Sequence, residues 1–285
     1  MRVAVLGLGR MGAALAARLL DEGHELVVWN RSPGKAGELV DDGAKEASSV
    51  GEAVSMVETA ITFLSNDEAV RQVALDRDGV VASLGSESIY VECSTVSPAL
   101  AAELGDAAGA ERFAAMPVMG SPAAVRSGQA SYLVAGSDDV VDRLQPLLSS
   151  LSSTVRRYPN PQLALTAKLT SNLVLLSGIA ALAEAFAVGR AGGLSDDQLR
   201  DLLAESPMVA PGLRNRFEGV LTANHDAWWT TTLGAKDARL ATALAHAAGV
   251  DVPVADAVRD RFEEAAGSGL DDADIAAIAR LYRRG

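Results

Sequence analysis

Three glycines near the N-terminus have the spacing of a phosphate-binding turn. They stand in the segment Gly7-Leu8-Gly9-Arg10-Met11-Gly12, which follows a short apolar run and precedes a helical pattern. In such a turn the first glycine permits a tight bend, the second lets the backbone approach a pyrophosphate, and the third lets the helix pack closely on the strand. The N-terminus of the helix also favours the charge of a phosphate. These six residues therefore predict a dinucleotide-binding site.

The end of the second predicted strand, residues 25–29, discriminates between two dinucleotides. An NAD site usually places Asp or Glu there, on the ribose 2′-hydroxyl. This chain has Asn30, Arg31, Ser32 and, slightly later, Lys35. A carboxylate would repel a 2′-phosphate, whereas a guanidinium, a hydroxyl and an ammonium can each donate a hydrogen bond to it. The segment predicts NADP, unless Arg31 and Lys35 are only solvated charges beside a Ser-Pro turn.

A lysine and an asparagine stand in a long apolar segment in the middle of the chain. Residues 162–194 predict one helix of about thirty residues, which would be about 45 Å long. Lys168 and Asn172 are four residues apart and therefore share a face of this helix. Apart from these two and Glu184, its middle is almost entirely apolar or small, so we expect burial nearly all round. Lys168 is then either a functional group or a lysine that extends to solvent from the end of a helix.

The elements that would position these groups belong to two regions. The first half alternates strands with helices, which predicts a mostly parallel, doubly wound sheet. Its predicted strands are residues 3–6, 25–29, 59–64, 89–92, 113–115 and 132–135. The Gly- and Pro-rich segment 117–128 predicts a shaped loop. After the long helix only helical patterns occur, at residues 195–204, 211–221, 232–248, 253–266 and 271–283. We predict an α/β Rossmann domain over residues 1–161 and an all-α domain over residues 162–285, with a long interdomain helix.

Composition limits the partners and the compartment. The net charge of −12 argues against nucleic acid and anionic membrane surfaces as partners, because both attract basic proteins. Cys93 is the one cysteine, so we expect no intrachain disulfide and no thiolate metal site. The N-terminus lacks a signal-peptide pattern, and the apolar run 173–183 has about half the length of a membrane span. We expect a cytoplasmic protein. A buried helix of this length needs more cover than the later helices supply, which predicts a homodimer.

Five motifs in a fixed order indicate a family. They are GLGRMG at residues 7–12, CSTVSP at 93–98, PVMGS at 117–121, KLTSN at 168–172, and KDARL at 236–240, preceded by Trp229. In this combination the chain resembles the β-hydroxyacid dehydrogenase family over essentially its whole length. That family includes 3-hydroxyisobutyrate dehydrogenases, glyoxylate and succinic semialdehyde reductases, and imine reductases.

The resemblance implies roles for particular residues. Lys168 matches a catalytic lysine that donates a proton to the carbonyl oxygen as hydride arrives, and Asn172 matches an asparagine that helps to hold the substrate. An ammonium aimed at that oxygen would both stabilise the alkoxide and protonate it. Asp237 matches the partner of the lysine in the Lys-Asp motif, and we place it at the substrate. We place four further residues at the cofactor: Leu64, Ser65, Thr95 and Lys236.

The residues assigned to the substrate depart from the family pattern. Trp229 stands where the family usually has Phe as an aromatic wall. The family commonly has Ser-Gly-Gly after Pro-Val, with the serine on the substrate carboxylate, whereas this chain has Met119, Gly120 and Ser121. The loss of that hydroxyl argues against a small, strongly anionic substrate and favours a more apolar one.

The predicted function is NADPH-dependent reduction of a small aldehyde or keto acid, reversible as a hydroxyacid dehydrogenase. One alternative is an imine reductase of the same fold. That branch generally has Asp or Tyr in place of the lysine, so Lys168 and Asn172 argue against it, while Met119 and Trp229 favour an apolar pocket. Another alternative is a non-catalytic NADP-binding regulator, which would not need a proton donor on a buried face.

Overall fold

In the computed structural model, which describes residues 1–222 and 228–282, nine strands join in one sheet. They are β1 (Arg2–Leu6), β2 (Glu25–Trp29), β3 (Lys45–Glu46), β4 (Thr59–Thr62), β5 (Ile89–Glu92), β6 (Phe113–Ala115), β7 (Val118–Met119), β8 (Ser131–Gly136) and β9 (Thr154–Arg157). Their order is β3-β2-β1-β4-β5-β6-β8-β7, with β9 paired to β8. The first six run parallel in the Rossmann order, so the predicted fold class is confirmed.

Helices separate and follow these strands. They are α1 (Arg10–Asp21), α2 (Gly37–Asp41), α3 (Val50–Val54), α4 (Asp67–Leu75), α5 (Val80–Ser83), α6 (Pro98–Ala108), α7 (Pro122–Arg126), α8 (Asp138–Arg143), α9 (Gln145–Leu151), α10 (Pro161–Ala191), α11 (Asp196–Leu203), α12 (Pro211–Thr222), α13 (Thr231–Ala247) and α14 (Pro253–Ala265). The chain divides into two units, Met1–Lys168 and Leu169–Gly285. The predicted domain boundary after residue 161 stays a prediction.

The sheet of the first unit is buried on both faces. Val3 and Val5 of β1 belong to one apolar cluster, together with Leu15 of α1. Ala4 of the same strand belongs to the opposite cluster, together with Leu100 of α6. Side chains alternate across a strand, and a parallel sheet needs helices on both of its faces. The apolar runs of the first half therefore produce a doubly covered sheet.

The sequence prediction missed the short strands β3, β7 and β9. The strands β3 and β7 have two residues each, and β9 has the sequence TVRR, which carries no apolar run. The segment 117–128, predicted as a loop, contains β7 and the helix α7. Ser121 caps α7, and Pro122 follows at its first position, so the prolines and glycine that indicated a loop belong to a strand end and a helix start.

The predicted long helix is present as α10, which has 31 residues, but its predicted burial is wrong. Leu163, Val174 and Val188 are 44%, 70% and 73% exposed. With three smaller exposed residues they form a face at helical spacing, which we call the α10 stripe: Leu163, Thr170, Val174, Ala181, Ala185 and Val188. By length and composition alone α10 would also suit a membrane span, with a mean hydropathy of 1.7 in its best window. The core helix of a soluble protein meets the same criteria, so this likeness is weak evidence.

The second unit has its own core, and its C-terminal helix differs from the prediction. Phe186 of α10 packs edge-on against Phe217 of α12, with ring centroids 5.2 Å apart. The helix predicted over residues 271–283 begins at Ile275 instead and is a 3₁₀ helix, Ile275–Tyr282. An irregular turn, Ala266–Leu270, precedes it, and the predicted end at residue 283 lies outside the described residues.

Candidate cofactor and catalytic site

The glycine turn joins β1 to α1, and its three glycines differ in their surroundings. Gly7 has a φ of +101°, in the region that favours glycine. A β-carbon on Gly12 would lie 1.9 Å from the carbonyl oxygen of Gly7, so the turn packs against the first turn of the helix. A β-carbon on Gly9 would meet nothing within 4 Å. The turn therefore has open space at Gly9, where a ligand phosphate would need to approach the backbone.

A cavity of about 640 Å³ in the first unit includes this turn. Seven of the residues predicted for the cofactor line it: Gly7, Gly9, Asn30, Arg31, Ser32, Leu64 and Ser65. Other predicted cofactor residues of this unit are absent from its lining: Leu8, Arg10, Met11, Gly12, Lys35 and Thr95. Lys236 belongs to the second unit. The sequence interpretation missed the rest of the lining: Trp29, Ser48, Ser49, Val50, Phe63, Ala69, Gln72, Val73, Asp76, Asp78 and Gly79.

Asn30 connects the end of β2 to the glycine turn. Its Oδ1 accepts a hydrogen bond from the backbone N–H of Leu8 at 2.9 Å, and its Nδ2 donates to the carbonyl of Ser32 at 2.8 Å. A carboxylate could accept the first bond but could not donate the second, because ionised Asp has acceptors only. The asparagine therefore fixes the turn and the following residues with one side chain.

The ends of β4 and β5 are joined by a buried glutamate that the sequence interpretation did not single out. Glu92 Oε1 accepts from the N–H of Ser94 at 2.6 Å, and Oε2 accepts from Thr62 Oγ1 at 2.7 Å and Tyr90 OH at 2.9 Å. Ser94 Oγ in turn accepts from the N–H of Leu64 at 2.7 Å. Burial raises the pKa of Glu92, and hydrogen bonds from Ser94 and Thr62 oppose that shift. The available signal was a carboxylate at the end of an otherwise apolar strand, IYVE.

Two residues near Glu92 have structural roles. Cys93 is buried, and burial raises the pKa of its thiol well above the ordinary value. Ser97 caps α6 by accepting from the N–H of Leu100 at 3.1 Å, and Pro98 follows it at the first helical position. Thr95 lies between them and is half-buried.

In the second unit, α10 and α13 bring an amide and a carboxylate together. Asn172 Nδ2 donates to Asp237 Oδ2 at 2.7 Å, and both residues are buried. Lys236 Nζ lies 2.8 Å from Asp237 Oδ1 as an ion pair. Because an ionised carboxylate only accepts hydrogen bonds, the amide of Asn172 must face it with its nitrogen. Lys168 stands one turn before Asn172 on α10 and is half-buried.

The residues predicted for the substrate fall in both units. Met119 packs against the small cluster formed by Leu133, Ala135 and Ala164. Gly120 has a φ of +147°, and the hydroxyl of Ser121 accepts from the N–H of Ala124 as the cap of α7. Trp229 lies in the core of the second unit, where it is 9% exposed.

Trp229 also adjoins a buried charge that the sequence interpretation missed. The guanidinium of Arg216 lies 4.2 Å from the ring centroid of Trp228 and 6.0 Å from that of Trp229. Arg216 pairs with Asp274, Nε to Oδ1 at 3.1 Å, and burial lowers the pKa of the arginine. This stacking holds the Trp228–Trp229 pair against α12.

Comparison with known proteins decides the family. The model of the NAD binding domain of 6-phosphogluconate dehydrogenase matches residues 2–159, and the model of the NAD-binding domain of NADP-dependent 3-hydroxyisobutyrate dehydrogenase matches residues 164–282. The chain belongs to the β-hydroxyacid dehydrogenase family. This family membership makes it an NAD(P)-dependent oxidoreductase and confirms the resemblance seen in the motifs.

Several known proteins match the chain over nearly its full length. The uncharacterized oxidoreductase YfjR of Bacillus subtilis is 32% identical, over 99% of this chain and 100% of its own. Glyoxylate/succinic semialdehyde reductase 1 of Arabidopsis thaliana is 30% identical over 99% of both chains. The crystal structure of a 3-hydroxyisobutyrate dehydrogenase from Salmonella typhimurium superposes with a TM-score of 0.89, at 27% identity and 99% coverage of both.

Imine reductases share the fold of this chain. The Streptomyces aurantiacus imine reductase superposes with a TM-score of 0.65, at 24% identity and full coverage of both chains. At that identity the likeness concerns the fold alone.

Proposed function

We propose that the protein is an NADPH-dependent reductase of small aldehydes, semialdehydes or keto acids that also catalyses the reverse oxidation of hydroxyacids. The observation that carries the proposal is the buried hydrogen bond between Asn172 and Asp237, one turn along α10 from Lys168. A buried polar side chain on a largely apolar helix is costly unless it is satisfied, and this one is held in one orientation. The Arabidopsis relative is named as a glyoxylate/succinic semialdehyde reductase, which supports this substrate class.

Lys168 would act as the proton donor. The bound nicotinamide supplies hydride. Carbonyl reduction leaves negative charge on the oxygen, so an ammonium Nζ at that atom would stabilise the charge and then release its proton. With its nitrogen engaged by Asp237, the amide of Asn172 would present its oxygen in a fixed direction to a substrate hydroxyl. The pair Lys236–Asp237 would hold that amide in place.

The residues that line the cavity of the first unit fit a dinucleotide. Open space at Gly9 and the first turn of α1 would accept the pyrophosphate. Arg31 and Ser32 line the same cavity at the end of β2, and the carboxylate usual for NAD is replaced by Asn30. Asp76 and Asp78 also line the cavity, and their carboxylates would repel a phosphate. A 2′-phosphate would therefore be favoured beside the guanidinium of Arg31. We therefore propose NADP as the cofactor, with Lys35 and Thr95 as further contacts.

An imine reductase is the second candidate. Met119 stands where the family commonly has a serine, and the hydroxyl of Ser121 is engaged in capping α7. Both observations favour an apolar substrate. The fold shared with the Streptomyces aurantiacus enzyme supports this candidate. The retained lysine favours carbonyl reduction over it.

A substrate panel tests the proposal. The purified protein would be mixed with NADPH and, separately, with semialdehydes, 2-oxo acids, ketones and cyclic imines, and the loss of NADPH absorbance recorded. We expect turnover with semialdehydes or oxo acids. Consumption of imines alone would support the second candidate, and no turnover with any compound would indicate a cofactor-binding regulator.

A lysine variant identifies the proton donor in the same assay. Lys168→Ala is expected to lower kcat by about a hundredfold or more, since general acid catalysis contributes that much. The control, Lys45→Ala, removes an exposed lysine of β3 and should leave kcat unchanged. Retention of most activity by Lys168→Ala would exclude the proposed proton transfer.

We also propose a cytoplasmic homodimer in which a second copy of the chain covers the α10 stripe. Val174 and Val188 of this stripe are more than two-thirds exposed, and they continue the apolar face of a helix whose opposite face forms the core of the second unit. Exposed apolar surface of this kind is typical of subunit interfaces. The acidic net charge of −12 favours a small-molecule substrate over nucleic acid or membrane partners.

A further inference from the structure

Glu92 is a buried carboxylate whose partners are neutral donors. Thr62 and Glu92 are paired residues of the adjacent parallel strands β4 and β5, and Tyr90 lies on the same face of β5 as Glu92. The hydroxyls of Thr62 and Tyr90 and the N–H of Ser94 all point to the two carboxylate oxygens. A fully buried carboxylate is expensive in a protein interior even when hydrogen-bonded. An apolar side chain at this position would stabilise the core of the sheet more than a carboxylate does. The presence of Glu92 therefore requires an explanation other than stability.

The hydrogen bonds of Glu92 lead directly to the two loops that follow β4 and β5. On the β5 side Glu92 holds the N–H of Ser94, next to Thr95. On the β4 side the hydroxyl of Ser94 accepts from the N–H of Leu64, next to Ser65. Leu64 and Ser65 line the cavity, while Thr95 is half-buried at the carboxyl end of the neighbouring strand. Glu92 and Ser94 therefore connect two loops at the edge of the sheet where dinucleotides bind.

We propose that Glu92 is a positioning residue that fixes the loop after β4 against the loop after β5 and thereby sets the affinity of the protein for its dinucleotide. The inference rests on the proposed cofactor contacts of Leu64, Ser65 and Thr95. Glu92 itself is fully buried and is not part of the cavity lining. Its effect is transmitted through Ser94. The backbone N–H of Ser94 donates to Glu92, and the hydroxyl of Ser94 accepts from the N–H of Leu64.

The chain offers matched controls for two of the hydroxyls that bind Glu92. Thr59 and Thr62 are both fully buried residues of β4, but Thr59 Oγ1 has no hydrogen-bond partner. Tyr90 and Tyr132 are both fully buried tyrosines of the sheet, and the hydroxyl of Tyr132 likewise has no partner. Removal of an unpartnered buried hydroxyl is neutral or stabilising, whereas removal of a donor to a carboxylate leaves that carboxylate less satisfied.

The test compares the dissociation constant for NADPH, measured by fluorescence titration well below the melting temperature, in five variants of the full chain. Glu92→Gln and Thr62→Val are expected to raise Kd about tenfold, and Tyr90→Phe about threefold, as losses of hydrogen bonds to a charged group. Thr59→Val and Tyr132→Phe should stay within about twofold of the wild type. A purely structural role would lower Tm without changing Kd, so Tm is recorded for each variant.

Two outcomes would overturn the inference. In the first, Thr62→Val and Tyr90→Phe have the same Kd for NADPH as the wild type. In the second, the control variants Thr59→Val and Tyr132→Phe raise Kd as much as Thr62→Val and Tyr90→Phe do. Because these variants leave the carboxylate in place, they decide the matter even if Glu92→Gln does not fold. If the wild type binds NADH in place of NADPH, the cofactor proposal fails separately, and the same variants test the inference with NADH.

Discussion

Asn172 and Asp237, which are 65 residues apart in sequence, are joined by a buried hydrogen bond of 2.7 Å. Asp237→Ala should lower kcat/KM by about ten- to a hundredfold, because a buried amide and the ammonium of Lys236 both lose their partner. The double variant with Asn172→Ala should be less impaired than the two single effects predict, as expected for residues that act together. Asp260→Ala, which removes an exposed ion pair with Arg259, is the control. Additive effects in this cycle would show that the two residues act independently.

Gly9 and Gly12 should respond differently to the same substitution. Gly12→Ala would place a methyl group 1.9 Å from the carbonyl of Gly7, so we expect a large loss of stability, seen as a lower Tm. Gly9→Ala meets no protein atom within 4 Å, and its Tm should stay close to the wild-type value. Its methyl group would occupy the space proposed for the pyrophosphate, and Kd for NADPH should rise at least about tenfold. Equal cofactor affinity in Gly9→Ala and wild type would place the phosphates elsewhere.

Arg31 should determine the preference between cofactors. Arg31→Ala should lower the ratio of kcat/KM for NADPH over NADH by about tenfold or more, because a charge-assisted contact to the 2′-phosphate is lost and NADH has no such group. Arg77→Ala removes the same charge from an exposed arginine between Asp76 and Asp78 that is not part of the cavity lining. A preference of the wild type for NADH, or equal effects of both variants, would contradict the assignment.

The strands beside the cofactor turn were predictable, because strands buried on both faces appear in the sequence as apolar runs. The turn itself was predictable, because this glycine spacing between a strand and a helix is typical of phosphate binding. Strands β2, β5 and β6 have the predicted bounds. Short or polar strands were missed. Two residues, as in β7, are too few to show an alternating hydrophobic pattern, and β9 forms a strand because it pairs with β8, which is distant in the sequence. The segment 117–128 was predicted as a loop because a helix cap and a loop use the same residue types.

Some hydrogen bonds of the candidate site could not be predicted from the sequence, because they depend on tertiary contacts. The bond from Leu8 to Asn30 joins residues 22 positions apart, and the bond from Thr62 to Glu92 joins residues 30 positions apart, so neither leaves a local pattern. The exposure of the α10 stripe was missed for a different reason. Its residues are as apolar as those that form the core of the second unit, and composition alone does not say which face of a helix is covered.

The α10 stripe should contain the subunit contact. Val174→Glu and Val188→Glu would place charges on the proposed interface, and light scattering should show a shift from a dimer to a monomer near the 29.4 kDa of one chain. Val254→Glu is the control, since Val254 is 72% exposed on α14, outside the stripe. A wild-type protein that is already monomeric, or a Val254→Glu variant that dissociates equally, would exclude the stripe as the interface.

Glu92 should make the stability of the protein depend on pH with a definite sign. Burial raises the pKa of Glu92 above its ordinary 4.5, so between 4.5 and the folded-state pKa the folded chain binds more protons than the unfolded chain. The free energy of unfolding then falls as pH rises through that window, by at most about 1.4 kcal/mol per pH unit. Glu92→Gln is uncharged throughout and should lack this dependence.

The difference in unfolding free energy between wild type and Glu92→Gln isolates this effect. His24, whose pKa is lowered by burial, titrates in the same range with the opposite sign, but it is present in both proteins and cancels. Tyr90 and Cys93, the titratable groups beside Glu92, have raised pKa values and stay neutral below about pH 8. Denaturant unfolding at a series of pH values rising from about 4.5 should therefore show the wild type losing stability relative to the variant until the pH passes the folded-state pKa of Glu92. A relative gain with rising pH would mean that hydrogen bonding outweighs burial at Glu92 and keeps its carboxylate ionised.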